Sequence, residues 1–355
     1  MEREIVVVTG ASAGVGRAAA RAFAAQGCRV ALLARGRSGL EAAAREVREA
    51  GGEALALPTD VADAQAVEAA AAEVERVWGA PAVWVNAAMV TVFAPSTEVT
   101  PQEMRRVTDV TYLGAVWGIQ AALRRMRPRN RGRIVQVSSA LAYRSIPLQA
   151  AYCGAKHAVR GYVDAVRCEL LHERSAVHIG CVHLAAFNTP QFQWARVKLP
   201  RRPRPLPPVF QPEVAARAIV WMAHHRRRDL AVGFPAWQAI VGNKFLPHWL
   251  DRKMARDAWA GQQTDQPLPQ EWPDNLDHPV ERDHGARGPF GSEARRRSWQ
   301  LEAQLHRGPL LLGAAAMGGL LLGGWLGRRR LVRLATRPRP GRRARWQRAR
   351  RRVPI

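Results

Sequence analysis

The chain contains 355 residues, 47% of them hydrophobic, and has a formal net charge of +25. This length and apolar content are sufficient for a hydrophobic core in one large or two ordinary domains. The four cysteines have neither paired nor metal-ligand spacing, which argues against a disulfide framework or a cysteine-ligated metal site and favours a reducing compartment. The strongly basic balance favours anionic partners, either a membrane surface or a nucleic acid.

Predicted strands and helices alternate along the first 190 residues, and the pattern continues to residue 234. The strands are apolar runs, as expected when both faces of a sheet are covered. The predicted strands cover residues 5–9, 29–34, 53–57, 82–86, 132–138, 177–184 and 230–234. The predicted helices cover residues 16–26, 40–50, 63–78, 101–127, 151–171 and 213–224. This order predicts an α/β fold with a doubly wound parallel sheet.

A glycine-rich turn follows the first predicted strand, where residues 9–16 read TGASAGVG. Gly10, Gly14 and Gly16 allow a tight turn whose backbone N–H groups, at the start of a helix, approach phosphate oxygens. The alternative interpretation is a plain tight turn. The flanking strand and helix favour a dinucleotide site.

A second pattern places Tyr152 and Lys156 four residues apart, on one face of a predicted helix, with Ser139 thirteen residues before the tyrosine. A free phenol has a pKa of about 10, and a nearby ammonium group favours its ionised form. Tyr152 is therefore a candidate acid/base for hydride transfer between a carbonyl and an alcohol. The alternative is that both side chains are ordinary surface residues of the helix.

Together these motifs resemble those of the short-chain dehydrogenase/reductase family over roughly residues 3–240. The matching elements are Thr9-Gly10-x-x-x-Gly14-x-Gly16, Asp60-Val61, Asn86-Ala87-Ala88, Ser139 and Tyr152-x-x-x-Lys156. The chain is thereby identified as a divergent, bacterial-type member with a C-terminal hydrophobic segment. The resemblance implies a Rossmann-like doubly wound sheet in one domain with a C-terminal extension, and homo-oligomers formed through the helices at 101–127 and 151–171.

The resemblance also implies roles for individual residues. Ser139 would hold the substrate oxygen beside Tyr152, and Lys156 would also contact the nicotinamide ribose. The expected cofactor-binding residues, besides Tyr152 and Lys156, are Gly10, Ser12, Gly14, Val15, Gly16, Arg35, Asp60, Val61, Asn86 and Thr189. Asp60 and Val61 would contact the adenine ring, and Thr189 the carboxamide.

Arg35 stands at the end of the second predicted strand, where a fold that selects NAD usually has an acidic residue. A guanidinium suits a 2′-phosphate better than a free hydroxyl, so we predict a preference for NADP(H), with NAD(H) as the alternative. The other interpretation of Arg35 is a solvated side chain in an arginine-rich protein.

Two departures from the family pattern affect the expected site. Thr111 stands where relatives often have an asparagine that kinks a long helix and anchors a proton-relay water, so Thr111 is a candidate for that part. Met89 replaces a glycine after Asn86 and would crowd the strand end. Residues 198–212, rich in Pro and Arg, are expected to form part of a substrate lid. Phe192 and Trp194, which precede them in the same lid, either line an apolar pocket or take part in ordinary packing.

The expected domain organisation is a catalytic domain at 1–255, a polar Pro-rich linker at 256–308, a hydrophobic membrane-associating segment at 309–327 and an Arg-rich tail at 328–355. No secretory signal precedes the first strand, so the catalytic domain is expected in the cytosol. The tail carries 13 arginines and no acid, which also favours the cytosolic side. A hydrophobic segment that lies at the membrane interface or re-enters it would keep both the catalytic domain and the tail on the cytosolic side, with the tail on anionic headgroups. The alternatives are a single membrane span and a tail free of the membrane.

The favoured hypothesis is therefore an NADP(H)-dependent oxidoreductase that interconverts a carbonyl and an alcohol on a small apolar molecule. A nucleotide-binding membrane scaffold with little chemistry is the competing hypothesis, supported by the altered glycine motifs and the lost asparagine. Nucleic-acid binding by the tail has thin support, since Trp346 alone offers no aromatic interleaving. The ten histidines have no metal-ligand spacing, so no metal is expected.

Overall fold

The computed structural model describes residues 3–306. The strands are β1 Ile5–Thr9, β2 Arg29–Ala34, β3 Glu53–Pro58, β4 Val83–Asn86, β5 Val92–Phe93, β6 Arg133–Ser139, β7 His178–Leu184, β8 Ala186–Phe187, β9 Arg196–Val197, β10 Arg201–Pro203, β11 Val209–Phe210, β12 Asp229–Val232 and β13 Gln263–Pro267. The helices are α1 Gly14–Ala24, α2 Arg37–Glu49, α3 Ala64–Trp78, α4 Pro101–Thr108, α5 Gly114–Met126, α6 Ala150–His172, α7 Pro212–His224, α8 Phe234–Phe245, α9 Pro247–Gly261 and α10 Trp299–Leu305.

Seven strands form the central sheet in the order β12-β7-β6-β4-β1-β2-β3, and each neighbouring pair is parallel. All five residues of β1 are buried, as expected for a strand covered on both faces. Chain order reverses direction between β1 and β4, and such a switch point leaves a crevice beyond the carboxyl ends of the strands. The predicted Rossmann-like α/β fold is confirmed.

The helix predicted at 101–127 is interrupted. Thr100 and Glu103 form a reciprocal capping box at the start of α4, and Pro101 occupies its first turn. A π-helical turn, Asp109–Leu113, then separates α4 from α5. An extra residue in a helical turn redirects the side chains that follow it, so the interruption re-aims α5 beside the carboxyl end of β4.

The residues predicted as a polar linker, 256–308, differ in the structure from an extended connection. Helix α9 continues to Gly261, and β13 pairs with β10 in the antiparallel direction. Leu276 is completely buried in the main core cluster. One compact unit extends to Glu302. Polar, Pro-rich composition concealed this packing because its few apolar anchors lie in no helical or strand period.

No helix within residues 3–306 has the length and apolarity required to cross a membrane. The predicted hydrophobic segment at 309–327 and the Arg-rich tail at 328–355 lie outside the described residues.

Candidate active site

A cleft of about 950 Å³ lies at the carboxyl ends of the central strands. The glycine-rich turn, the end of β2 and the loop after β4 form one side of its lining. The end of β6, the beginning of α6 and the helices α8 and α9 form the other. The expected site residues that line it are Gly10, Ser12, Gly14, Val15, Gly16, Arg35, Asp60, Val61, Ser139, Tyr152, Lys156 and Thr189.

The glycine-rich turn leaves no room for side chains at two positions. Gly10 has a φ of +68°, and a Cβ built on it would lie 2.8 Å from the backbone of Ala88. A Cβ built on Gly16 would lie 2.3 Å from the carbonyl oxygen of Gly10. Glycine is therefore required at both positions, where the turn passes close to the loop after β4 and opens α1 toward the cleft.

Ser139, Tyr152 and Lys156 meet in this cleft. Ser139 ends β6, and Tyr152 and Lys156 lie one turn apart in α6. The Tyr152 hydroxyl is hydrogen-bonded to the Ser139 side chain. The Lys156 ammonium lies 5.5 Å from the centre of the Tyr152 ring and donates to the carbonyl oxygen of Val137 at 3.1 Å. The predicted spacing thus brings the three side chains to the lining of one cleft.

Burial controls the protonation of this set. It raises the pKa of Tyr152 above its ordinary range, against a smaller opposing contribution from the hydrogen bond with Ser139. It lowers the pKa of Lys156 to about 8. The phenol is consequently protonated at neutral pH and has a proton to donate.

Thr111 lies in the π-helical turn and does not line the cleft. Its hydroxyl donates to the carbonyl oxygen of Val90 at 3.0 Å and accepts from the Val90 amide at 3.1 Å. Both hydrogen-bonding directions are therefore used on the loop after β4, which fixes that loop beside the cofactor cleft.

Asn86 also lies behind the cleft lining. Its side chain accepts from the Trp84 indole at 2.8 Å and donates to the carbonyl oxygen of Ala115 at 3.3 Å. It therefore ties β4 to α5. The next residues, Ala87, Ala88 and Met89, form the lining.

Arg35 reaches the cleft, but its guanidinium is bound by the chain itself. It donates to the carbonyl oxygens of Asn275, Leu276 and Asp277, the last at 2.9 Å. Burial lowers its pKa, and the neighbouring Arg106 adds to this effect. Arg106 donates to the same Leu276 carbonyl at 3.0 Å and pairs with Asp60 at 2.6 Å.

Thr189 lies against the glycine-rich turn, since a Cβ built on Gly14 would be 3.4 Å from its side chain. Phe192 and Trp194 follow it and line the cleft. Within the predicted lid, 198–212, the lining residues are Arg204, Pro205, Leu206, Pro207 and Pro208.

Two groups of lining residues were missed from the sequence. One belongs to α8 and α9, where Trp237, Leu246, Trp249, Leu250 and Met254 make an apolar wall. The other comprises Asn275, Pro279, Val280, Arg282 and His284. The aromatic density of α8 and α9 is a signal in the sequence, whereas residues 275–284 carry no motif.

A polar cluster lies outside the cleft lining, where ligand atoms of Cys181, His183 and Asp229 are within 4.8 Å of one another. His183 and Asp229 share a hydrogen bond of 2.9 Å. The guanidinium groups of Arg167 and Arg228 lie 3.5 Å and 3.2 Å from the same carboxylate. These cations already balance the charge of Asp229, so the cluster is explained by its ion pairs without a metal.

Comparisons with known proteins agree with this geometry. A family model described as short chain dehydrogenase matches residues 4–198. An oxidoreductase of Bacillus subtilis, YxnA, is 30% identical over 75% of this chain and 76% of its own length. Dehydrogenase/reductase SDR family member 7B of Rattus norvegicus is 32% identical over 48% of this chain and 54% of its own length.

Two solved structures share the fold. One is an alcohol dehydrogenase from the archaeon Thermococcus sibiricus, complexed with 5-hydroxy-NADP; it is 27% identical, with a TM-score of 0.57 over 65% of this chain and 96% of that chain. The other is an actinorhodin polyketide ketoreductase variant with NADPH, 25% identical, with a TM-score of 0.57 over 65% of this chain and 95% of that chain. On these matches and this cleft, the chain belongs to the short-chain dehydrogenase/reductase family and is an oxidoreductase.

Proposed function

We propose that the protein is an NADP(H)-dependent oxidoreductase that interconverts a carbonyl and an alcohol on a small apolar molecule. The observation that carries the proposal is the convergence of Ser139, Tyr152 and Lys156 in the cleft that also contains the glycine-rich turn. A scaffold without chemistry would have no use for a buried phenol, hydroxyl and ammonium that line the same cleft.

Each side chain has a distinct role in this proposal. The nicotinamide, when bound, supplies or accepts the hydride. Tyr152 donates its proton to the oxygen of the reduced carbonyl, and takes one from the alcohol in the opposite direction. Ser139 holds that oxygen beside the phenol. Lys156 stabilises the phenolate that remains, because a cation one helical turn away favours the charged form.

The substrate is proposed to be apolar because of the cleft walls. Phe192 and Trp194 line the cleft together with the apolar wall of α8 and α9. Gln149 adds a polar group close to Tyr152, and its amide donates to Gln262 at 2.6 Å. Such a cleft favours a molecule with one reacting oxygen and an apolar body.

The cofactor is proposed to be NADP(H) in preference to NAD(H). Arg35 and Arg106 both lie at the adenosine end of the cleft, while Asp60 pairs with only Arg106. The Arg35 guanidinium, which lines this end of the cleft, supports the binding of a 2′-phosphate.

Direct assays test this function. The full chain with NADPH is mixed with a series of apolar ketones and aldehydes, and NADPH absorbance is followed. We expect turnover that falls by about a hundredfold to ten-thousandfold in Tyr152→Phe, with NADPH affinity retained. Retained turnover in Tyr152→Phe would contradict the mechanism, and dinucleotide binding without turnover of any carbonyl or alcohol would favour the scaffold.

We also propose membrane association near the cleft. Large exposed apolar side chains concentrate on α8, α9 and their junction: Phe234, Trp237, Phe245, Leu246, Trp249 and Trp259. Lys244 and Arg252 lie among them. Aromatic side chains interspersed with cations suit the interface of an anionic bilayer. An apolar substrate would then enter the cleft from the lipid.

Vesicle sedimentation tests this association. We expect Phe245→Glu to weaken binding of the full chain to phosphatidylglycerol vesicles, while Trp299→Glu, a change at an 80% exposed residue of α10, leaves it unchanged. A chain ending at His306 separates the contribution of the remaining C-terminal residues. Equal binding by both substituted chains would contradict the role of α8 and α9.

Homo-oligomers through α4, α5 and α6 complete the proposal, since family members often assemble in this manner. Light scattering of the full chain measures the assembly, and a monomer at micromolar concentration would contradict it.

A further inference from the structure

Residues 274–285, named the strap, cross the cofactor cleft although they lie outside the match to the family model. The strap is anchored to the core by Leu276, which is completely buried. The backbone amide of Asn275 donates to the carbonyl oxygen of Trp194 at 2.9 Å, and both residues line the cleft. From there the strap passes Arg35, the beginning of α2 and the glycine-rich turn.

At the beginning of α2 the strap places a carboxylate where an anion would bind. The two Glu281 oxygens accept from the backbone amides of Arg37 and Ser38, each at 3.3 Å. These amides belong to the first two residues of α2, two and three positions after Arg35. The ribose 2′ position of a dinucleotide lies at this end of the second strand, and the first N–H groups of a helix are phosphate donors.

At the glycine-rich turn the strap again accepts a hydrogen bond from a backbone amide. The Gly14 amide donates to the carbonyl oxygen of Gly285 at 3.2 Å. Asp283 pairs with the buried Arg17, which Glu46 also binds at 2.9 Å. The strap is therefore attached on both sides of the cleft, and its oxygen atoms meet the groups that would otherwise face cofactor phosphates.

We propose that the strap is an intramolecular competitor of the cofactor, and that Glu281 is the residue through which the protein discriminates NADPH from NADH. The proposal rests on the dinucleotide function proposed above. The pyrophosphate of either dinucleotide displaces the Gly285 carbonyl from Gly14. Only the 2′-phosphate of NADPH also displaces Glu281 from Arg37 and Ser38.

Charge gives the direction of the discrimination. Arg35 attracts a 2′-phosphate, whereas the Glu281 carboxylate on the Arg37 and Ser38 amides repels it. NADPH binds as Glu281 withdraws, while NADH leaves that carboxylate on its two amides. Removing the negative charge of Glu281 is therefore expected to strengthen the binding of NADPH alone.

Cofactor titration of the full chain tests the role of Glu281. We expect Glu281→Gln to raise NADPH affinity by at least tenfold and to change NADH affinity by less than twofold. Glu271→Gln is the matched control, because Glu271 is exposed, precedes the strap and does not line the cleft. An unchanged ratio of the two affinities in Glu281→Gln would overturn the proposal.

A reversible lock tests whether the strap must move. A Cβ built on Gly36 lies 3.3 Å from the Cβ of Pro279, close to the disulfide separation of about 3.5–4.5 Å. Gly36→Cys with Pro279→Cys, combined with Cys168→Ser to remove the exposed native thiol, provides the lock. We expect the oxidised protein to bind NADPH at least tenfold more weakly than the same protein after reduction, with a smaller effect on NADH.

The outcomes separate this proposal from the function beneath it. Equal NADPH binding by the oxidised and reduced proteins would overturn the moving strap and leave the oxidoreductase function intact. If neither the wild-type chain nor any variant binds either dinucleotide, both the moving strap and the oxidoreductase function would be contradicted.

Discussion

The hydroxyl of Thr111 uses both of its hydrogen-bonding directions on one residue, donating to the carbonyl oxygen and accepting from the amide of Val90. Thr111 is 1% exposed, so water cannot replace either bond. The π-helical turn thereby holds the loop after β4 in place. This arrangement makes Thr111 a positioning residue rather than a group that touches the reacting atoms.

Replacing Thr111 with valine tests this role. Thr111→Val keeps the shape but leaves the Val90 amide and carbonyl unpaired, so we expect a loss of about 1–3 kcal/mol in the free energy of unfolding. Thr111→Ser restores the hydroxyl and should recover most of it. Urea denaturation measures the change. Thr108→Val, which removes an exposed bond to Met104, is the control and should cost about 0.5 kcal/mol or less.

Gly16→Ala tests the packing of the glycine-rich turn. The added methyl would lie 2.3 Å from a backbone oxygen, so the turn must shift and the donors that face the cleft shift with it. We expect NADPH affinity to fall by at least tenfold in a fluorescence titration. Gly161→Ala adds a methyl group that meets no atom within 4 Å beyond its chain neighbours and the backbone of its own helix, so it should keep wild-type affinity and gain up to about 1 kcal/mol of stability. Equal affinities for the two variants would contradict this account.

The lowered pKa of Lys156, to about 8 through burial, predicts how stability depends on pH. Between this pKa and the unfolded value of about 10.4 the unfolded chain binds more protons, so the stability of the folded protein rises with pH. Relative to Lys156→Met, the wild-type protein should gain about 1–2 kcal/mol from pH 7.5 to pH 9.5. Denaturation at the two pH values measures it. Lys244→Met, at an exposed lysine, should show no such difference, and a wild-type loss over this interval would refute the assignment.

Leu276→Ala tests whether the strap depends on its anchor. Truncating this completely buried side chain should cost about 2–5 kcal/mol in the free energy of unfolding. We also expect faster proteolysis within residues 274–285, because the carbonyls beside Leu276 lose their fixed position. Leu171→Ala, at a 77% exposed leucine, should change neither quantity measurably. If proteolysis of residues 274–285 is no faster in Leu276→Ala, the ion pairs of the strap are sufficient to hold it in place, and the anchoring role of Leu276 is contradicted.

The sequence allowed the sheet and the glycine-rich turn to be predicted because their signals are local. Apolar runs mark the buried strands, and Gly10 and Gly16 are glycines for steric reasons within a few residues. The grouping of Ser139, Tyr152 and Lys156 followed from spacing along one strand and one helix. Their roles in catalysis, like the other site assignments, stay predictions.

The partners of Arg35 could not be predicted from the sequence. Its acceptors lie about 240 residues later in the chain, in a segment with no helical or strand period. A guanidinium after β2 is therefore predicted to bind phosphate, because the sequence does not indicate which distant backbone carbonyls it contacts in the folded protein. The partner of Thr111 could not be predicted for a related reason, since its bonds join residues 21 positions apart.

The acceptors on Arg35 are main-chain carbonyls, and every amino acid carries one. Substitutions at Asn275 or Asp277 therefore leave these bonds available, as long as Leu276 keeps the segment in place. Deleting or inserting one residue between Leu276 and Glu281 would instead displace every later acceptor by about 3.3–3.6 Å. Some relatives should have a strap across the cleft and others should not. We expect these two groups to differ more in the length of this segment than in its composition.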